Sequence, residues 1–325
     1  MIRAPEQGEH IGRYRVGRLV ARGGMASIFE GADEETGDRV AIKIPNPEME
    51  ADVLFFDRFQ RESDIGRKLE HPGVVKVFPK EDSGRVCMVM EWVEGRRLRE
   101  MLDEQKSIPE DRAVQIALRV CEILEYIHSH GVVHRDLKPD NLIIDAEDRV
   151  KLLDFGIARQ EGARRLTFLN FTKAMGTPDY ASPEQVKGKR GDARSDVYAL
   201  GVIFFEMLAG QVPFLGSNAL TAMNQKLLSP APQVREINPE ISTTIEEILS
   251  RALERDPQNR YAGAHDFAWD LRHQDKVGIA ERCEPAAPAE TLAGAHRRGF
   301  SWAYMALALI PAIIFTLLLF VAKQK

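Results

Sequence analysis

The run His134-Arg135-Asp136-Leu137-Lys138-Pro139-Asp140-Asn141, followed by Asp154-Phe155-Gly156, decides how this chain is read. Between the two lie the apolar stretches Leu142-Ile143-Ile144 and Val150-Lys151-Leu152-Leu153. They predict a short hairpin that returns Asp154 to the side of Asn141. Two adjacent loops then carry the groups that a phosphoryl transfer needs. Asp136 can take the proton of an incoming hydroxyl, Asn141 and Asp154 can hold metal ions on nucleotide phosphates, and Lys138 can neutralise charge on the transferring group. Either triplet alone is a weak signal. Both in this order, at this separation, are a strong one.

Working outward, Leu19-Val20-Ala21-Arg22-Gly23-Gly24-Met25-Ala26-Ser27-Ile28 has the form of a glycine-rich phosphate loop, and Val40-Ala41-Ile42-Lys43 follows it as an apolar strand ending in lysine. Glu62 lies in a helical segment, Gly176-Thr177-Pro178 and Ser182-Pro183-Glu184 bracket a further segment, Asp196 opens Asp196-Val197-Tyr198-Ala199-Leu200-Gly201, and Arg260 follows Asp256-Pro257. Singly, these have plainer explanations: a glycine pair marks a turn, a strand lysine points to solvent, a glutamate sits on a wet helix face. Together and in this order, from Tyr14 to Arg272, they resemble the eukaryotic-type (Hanks-type) protein kinases. Gly23-Gly24-Met25 and Tyr180-Ala181-Ser182-Pro183-Glu184-Gln185 are most similar to the bacterial transmembrane serine/threonine branch, the PknB-like kinases.

The resemblance implies an α+β, bilobal protein-kinase fold, with a β-rich lobe at 14–92 and a helical lobe at 95–273. It also implies ATP with Mg²⁺ or Mn²⁺, and protein substrates. The catalytic set it carries over is Asp136, Lys138, Lys43, Glu62 and Thr177, with Asn141 and Asp154 as metal ligands. Val20, Ala21, Arg22, Gly23, Gly24, Met25, Ala26, Ser27 and Ile28 would close over the nucleotide, and Lys43 would reach its phosphates. Ile28 and Ala41 would roof the adenine, Ile143 would floor it, Met90 would stand behind it, and backbone groups of Glu91 and Val93 would bond its edge. His134, Arg135, Phe155, Glu184, Asp196 and Arg260 are structural in the resemblance: His134 against Phe155, and Glu184 with Arg260 as a buried ion pair. Ala21 and Ala26 stand where the family has its first and third glycines, and alanine resists a positive φ. Lys138 two places after Asp136, with Thr177, is the serine/threonine pattern. A pseudokinase scaffold is the other reading, but it has no chemical need for all of these groups.

Composition neither suggests nor opposes this. The chain has 325 residues, 44% of them hydrophobic, and a net charge of −5, with no basic block to bind nucleic acid. Cys87, Cys121 and Cys283 have no metal spacing or disulfide pattern and read as reduced cytosolic thiols. The first forty residues carry charges throughout and contain no secretory signal.

Phe300 to Ala322 contains no charged residue and is long enough to cross a hydrocarbon core of roughly 30 Å. Trp302 and Tyr304 sit at one end, Arg297 and Arg298 flank it, and Lys323 and Lys325 follow the other end. We therefore expect one C-terminal transmembrane helix at 300–322, joined to the kinase domain (14–273) by an Ala/Pro-rich juxtamembrane linker at 274–299. Residues 1–13 are an N-terminal extension and 323–325 a short tail. The kinase domain would face the cytosol at the inner membrane, because ATP is there. Partners implied are protein substrates, a cognate phosphatase, a second copy of the chain and membrane lipid.

Within the lobes, the pattern predicts strands at Tyr14–Val20, Ala26–Ala32, Val40–Ile44, Val75–Pro79 and Arg85–Glu91, with a helix over Asp52–Leu69. Ile116, Ala117, Val120, Ile123, Leu124 and Ile127 share a helix face that Gly131 ends. Thr243 and Glu246 read as a capping box. Arg135 before Asp136 marks kinases whose activation segment is phosphorylated. Thr172, then Thr167, are the candidates, beside Arg159, Arg164, Arg165 and Lys173. Gly66, one turn after Glu62, is expected to loosen its helix by roughly 1 kcal/mol relative to Ala.

Overall fold

A computed structural model of the chain describes residues 5–49, 52–79, 86–154 and 178–279. The chain divides into two units, Met1–Ile279 and Ala280–Lys325, and every described residue lies in the first.

Five strands pair antiparallel in chain order: β1 (His10–Ile11), β2 (Tyr14–Arg22), β3 (Ala26–Asp33), β4 (Arg39–Pro45) and β5 (Met88–Glu91). Side chains alternate across a strand, and here the alternation sorts structure from chemistry. Val40, Ile42 and Ile44 of β4 bury with Tyr14, Val16, Phe29 and Val89 on one face. Ala41 and Lys43 point to the other face, where helix α1 (Val53–Gly66) lays Phe55 and Phe59 on Met88 and Met90. Asp52 caps α1 by accepting from the Phe55 N–H at 2.9 Å.

Three expectations need correction in this lobe. Ile11, assigned to the N-terminal extension, is buried in the sheet core and belongs to β1. The strand expected at Val75–Pro79 is an extended segment shared between two partners. Its Val75 N–H bonds Leu152 O at 2.9 Å, whereas its Phe78 N–H bonds Val89 O at 2.8 Å, so neither ladder continues and only isolated bridges form. Gly66 is the last residue of α1, not an interior one, so most of its helix cost disappears.

The second lobe contains β6 (Arg96–Arg97), α2 (Leu98–Glu104), α3 (Glu110–Ser129), β7 (Leu142–Ile144) and β8 (Val150–Leu152). It continues with α4 (Pro183–Val186), α5 (Ala193–Ala209), α6 (Ala219–Leu228), α7 (Thr243–Ala252) and α8 (Ala264–Arg272). The expected hairpin is β7–β8, with β6 on its edge. α3 buries the predicted face, and Gly131 takes φ +74° just past its end, the left-handed stop that glycine accepts without strain. α5 is apolar on all sides and buried from Ser195 to Leu208, so it forms the centre of the lobe. The cap of α7 is Ser242, one residue earlier than expected. Ser242 Oγ accepts from the Ile245 N–H at 3.3 Å, while Glu246 instead accepts from the Arg235 N–H at 3.0 Å.

Among the described residues no helix is long and apolar enough to cross a membrane. The expected span at 300–322, the tail, and the linker beyond Ile279 lie outside the described residues, as do Phe155, Thr167, Thr172 and Thr177.

Candidate active site between the lobes

β4 lies between β3 and β5, with Lys43 opposite Ile28 on one side and Met88 on the other. That register turns its ammonium toward α1 and the β7–β8 hairpin. Lys43 Nζ stands 3.0 Å from Glu62 Oε1 and 2.8 Å from Asp154 Oδ1. Burial pulls the ammonium's pKa down, but the two carboxylates outweigh it and the net shift is upward. The carboxylates share the lysine unequally. Burial pushes Glu62 up despite Lys43 beside it, whereas Asp154 ends below its ordinary range because Lys43 outweighs burial. Asp154 is therefore the carboxylate held anionic.

The catalytic-loop candidates are fixed from beneath by Asp196, which is fully buried at the start of α5. Its carboxylate accepts from the His134 N–H at 2.8 Å and the Arg135 N–H at 2.7 Å, and lies 2.8 Å from His128 Nε2. These bonds hold Arg135 at φ 65°, a left-handed conformation that costs a non-glycine residue energy and persists only where its surroundings impose it. From the other side, Gln185 Nε2 donates to the Arg135 carbonyl at 2.9 Å. His134 is fully buried, its Nδ1 accepts the Asp136 N–H at 3.3 Å, and burial lowers its pKa. The ring is a neutral strut for the loop.

Asp136 Oδ2 lies 3.2 Å from Lys138 Nζ, and both side chains keep about a quarter of their surface exposed. Asn141 Nδ2 donates to the Asp136 carbonyl at 3.0 Å, and the Leu153 N–H donates to the Asn141 carbonyl at 2.8 Å. The hairpin thus sets Asp154 beside Asn141, the juxtaposition anticipated from its two apolar stretches. Glu184 and Arg260 form a bidentate pair, 2.8 Å on each arm, with the Ser195 hydroxyl donating to Glu184 at 2.6 Å. Glu184 is buried, but its hydrogen bonds to Arg260 and Ser195 outweigh that burial and hold its carboxyl at about 2.

A cavity of about 400 Å³ brings Ala21, Arg22, Gly23, Gly24, Met25, Ala26 and Ile28 together with Lys43, Glu62, Met90, Asp136, Lys138, Asn141 and Asp154. Glu91, Val93 and Ile143 line a neighbouring recess beneath the connector between the lobes. The Glu91 N–H is taken by Lys76 O at 2.9 Å, so a ligand edge could draw on Glu91 only through its carbonyl. Val20 is exposed, and Ser27 is buried with its hydroxyl donating to Asn46 Oδ1 at 2.7 Å. Ala21 pairs with Ile28 just past a register shift after Leu19, and Ala26 pairs with Pro45; neither has a positive φ, so alanine's backbone is unstrained at both.

Sequence reasoning missed Asn46, which explains how the loop keeps its shape. Its Nδ2 donates to Gly23 O at 2.7 Å, its Oδ1 accepts from Ser27 Oγ at 2.7 Å, and its N–H donates to Met25 O at 2.8 Å. Asn-Pro after a strand reads as turn chemistry, so no pattern pointed back to the loop. Arg97 and Asp140 also line the cavity and were not anticipated.

A bilobal fold with these groups at its cleft defines a class. Residues 14–269 match the protein kinase domain family, and the chain belongs to that family. It is 35% identical over 261 residues to a probable serine/threonine-protein kinase PknB of Lactococcus lactis, covering 80% of this chain and 41% of that protein. It is 34% identical over 262 residues to the serine/threonine-protein kinase PrkC of Bacillus subtilis, covering 80% and 40%. The chain thus spans about two fifths of the length of these curated relatives. Among solved structures, the PknI kinase domain of Mycobacterium tuberculosis superposes with TM-score 0.66 at 26% identity, covering 83% of this chain and all of that one. A Rad53 structure in complex with AMP-PNP gives TM-score 0.65 at 27% identity, covering 79% of this chain and 64% of that one.

Proposed function

We propose that this chain is a serine/threonine protein kinase that transfers the γ-phosphate of ATP to protein hydroxyls and autophosphorylates its activation segment. The observation that carries the reading is the bridge of Lys43 between Glu62 and Asp154, at 3.0 and 2.8 Å, in one cavity with Asp136, Lys138 and Asn141. Lys43, fixed by two carboxylates, offers a positioned charge to the nucleotide phosphates. Asp136 accepts the proton of the attacking hydroxyl, and Lys138, 3.2 Å from it, offers a positive charge to the transferring group. Asn141, whose Nδ2 is bonded to Asp136 O, and Asp154, held anionic, would hold Mg²⁺ or Mn²⁺, which supplies neutralisation of phosphate charge when bound. Ile28, Ala41, Met90 and Ile143 would enclose the adenine, with the Glu91 carbonyl and Val93 backbone on its edge. Thr177 would complete the acceptor platform with Asp136 and Lys138.

The domain plan goes with this: an extension 1–13 whose β1 (His10–Ile11) pairs onto the sheet, kinase 14–273, linker 274–299, membrane helix 300–322 and tail 323–325. The uncharged stretch Phe300–Ala322 supports a single-pass anchor with the kinase domain on the ATP-containing side. A pseudokinase scaffold would leave the Lys43 bridge and the Asp136–Lys138 pair without a purpose.

Purified full-length chain, incubated with labelled ATP and Mg²⁺ or Mn²⁺, should label itself and an added protein on Ser or Thr. Lys43→Met and Asp136→Asn should not. Equal labelling in wild type and both variants would refute the assignment.

A further inference from the structure

α6 rests on the lobe through a narrow face. Leu220 and Leu228 are exposed, and Ala222, Met223 and Lys226 are its buried residues, on one side at i, i+1 and i+4. Lys226 is the unusual member: a lysine with 2% of its surface exposed. Lysine is almost never buried without a partner to compensate. Its Nζ donates to the Asp179 carbonyl at 2.6 Å and the Ala181 carbonyl at 2.7 Å, and stands 5.6 Å from the centre of the Tyr198 ring of α5.

The segment it grips lies at a particular place. Residues 178–181 follow Thr177 directly and lead into α4, whose Gln185 holds the Arg135 carbonyl, one residue from Asp136. Between those carbonyls, the Tyr180 side chain turns the opposite way. Its hydroxyl donates to Glu206 at 2.6 Å and accepts from Arg99 at 3.0 Å, and Arg99 also donates to Glu206 at 2.9 Å. The segment is therefore pinned twice, by its one buried ring toward α5 and α2, and by its carbonyls toward α6. It thereby leads into the helix that holds the backbone next to Asp136.

Resting on the kinase reading above, we propose that Lys226 is a positioning residue for the protein substrate, holding segment 178–181 in the shape against which the acceptor chain lies. The chemistry of the grip suits the task. Two carbonyls need two N–H donors on one atom, and a lysine reaching from α6 provides them without a carboxylate that would repel or compete. Burial pushes its ammonium down to about 7, with the Asp179 carboxyl as the opposing charge. Charged or neutral, the nitrogen keeps at least two hydrogens to donate, so the grip rests on donor geometry and not on net charge. Lys226 is not among the described residues lining the nucleotide cavity, so its removal should separate substrate binding from chemistry.

The test uses full-length protein, ATP and Mg²⁺, with myelin basic protein as acceptor and acceptor-free ATP hydrolysis as the second readout. Lys226→Met keeps the length and apolar stem but leaves both carbonyls without a donor. It should raise KM for the acceptor about tenfold or more, with KM for ATP and acceptor-free hydrolysis within about twofold of wild type. Lys226→Gln, which keeps an amide donor on a shorter arm, should fall between. If Lys226→Met does not fold, Lys226→Gln is measured in the same way, and an acceptor KM equal to wild type overturns the proposal. A parallel fall of acceptor kcat and ATP hydrolysis, with acceptor KM constant, also overturns it. Wild type that phosphorylates nothing defeats the kinase reading as well. Active wild type with an indifferent Lys226→Met defeats the positioning role alone.

Discussion

Asn46 Nδ2 donates to the Gly23 carbonyl at 2.7 Å, tying the residue just after β4 to the start of the loop between β2 and β3. With the Ser27 hydroxyl on its Oδ1, the carboxamide spans the base of the glycine loop while itself almost wholly buried. A loop that has alanine at two of its glycine positions is thus shaped by a side-chain clamp as well as by backbone freedom.

Asn46→Ala removes both side-chain bonds. At about 1 kcal/mol each, the loss should raise KM for ATP roughly five- to thirtyfold, while kcat at saturating ATP and the acceptor KM stay near wild type. An unchanged ATP KM would show that the clamp does not govern the nucleotide loop. Asn46→Asp, which loses the donor to Gly23 and sets a carboxylate against its carbonyl, should be at least as impaired.

Legibility in the sequence followed locality. The β7–β8 hairpin, the face of α3 and the Gly131 stop were readable because each is fixed by residues a few places apart, whose period or turn chemistry has one good solution. Long-range partners carried no such signal. Asn46 bonds residues some twenty positions back, Lys226 grips carbonyls more than forty positions away, and Val75–Pro79 divides its bonds between β5 and β8. Lys43 and Glu62, unlike Asp154, were nameable only through family resemblance. Periodicity alone left Lys43 a surface lysine, and only the register of β4 turns it inward.

Asp136→Asn removes the base and Asp154→Asn removes the anion that Lys43 keeps ionised. Each should lower phosphorylation of an added protein by about 10³-fold or more, with a melting temperature within a few degrees of wild type, since neither side chain lies in an apolar core cluster. An Asp136→Asn protein with wild-type turnover would remove Asp136 from the chemistry.

Glu184 makes a stability prediction with a definite sign. Despite burial, Arg260 and Ser195 hold its carboxyl at about 2, below its unfolded value. The stabilisation is therefore complete above about pH 4.3 and is lost as pH falls toward 2, because protonation then favours the unfolded chain. A shift of this size corresponds to about 3 kcal/mol. Glu184→Gln strands the buried Arg260 guanidinium, so it should cost roughly 3–5 kcal/mol at pH 7. Denaturation midpoints should converge with wild type as pH is lowered from 5 to 3. A constant gap across that range would contradict the assignment.

The anchor at 300–322 is tested by fractionation. Full-length chain expressed in bacteria should pellet with membranes and need detergent for release, and a chain ending at residue 279 should be recovered in the supernatant. Protease added to intact cells should leave the kinase domain uncut. Release of the full chain without detergent would eliminate the span.

The last prediction concerns control. Gly66 closes α1 instead of interrupting it, and Lys43 already reaches Glu62 at 3.0 Å, so a loose helix is not the handle that regulation would use. Charge at Arg135 is. Its Nε is buried and makes no hydrogen bond among the described residues, and its pKa is lowered first by burial and then by the neighbouring Arg190. The Arg135 guanidinium, disfavoured by burial and by the charge of Arg190 though favoured by Asp196, would gain from an added anion, and a phosphothreonine carrying about −1.5 to −2 charges would supply one. Thr172 is the first candidate and Thr167 the second, Thr177 being proposed for the acceptor platform. Phosphatase treatment should lower turnover of an exogenous protein about tenfold, and Thr167→Ala with Thr172→Ala should reproduce that loss. Arg135→Ala should make activity low and insensitive to phosphatase, which separates loss of the anion's receptor from loss of the anion. A double threonine variant as active as wild type would leave Arg135 without a regulatory role.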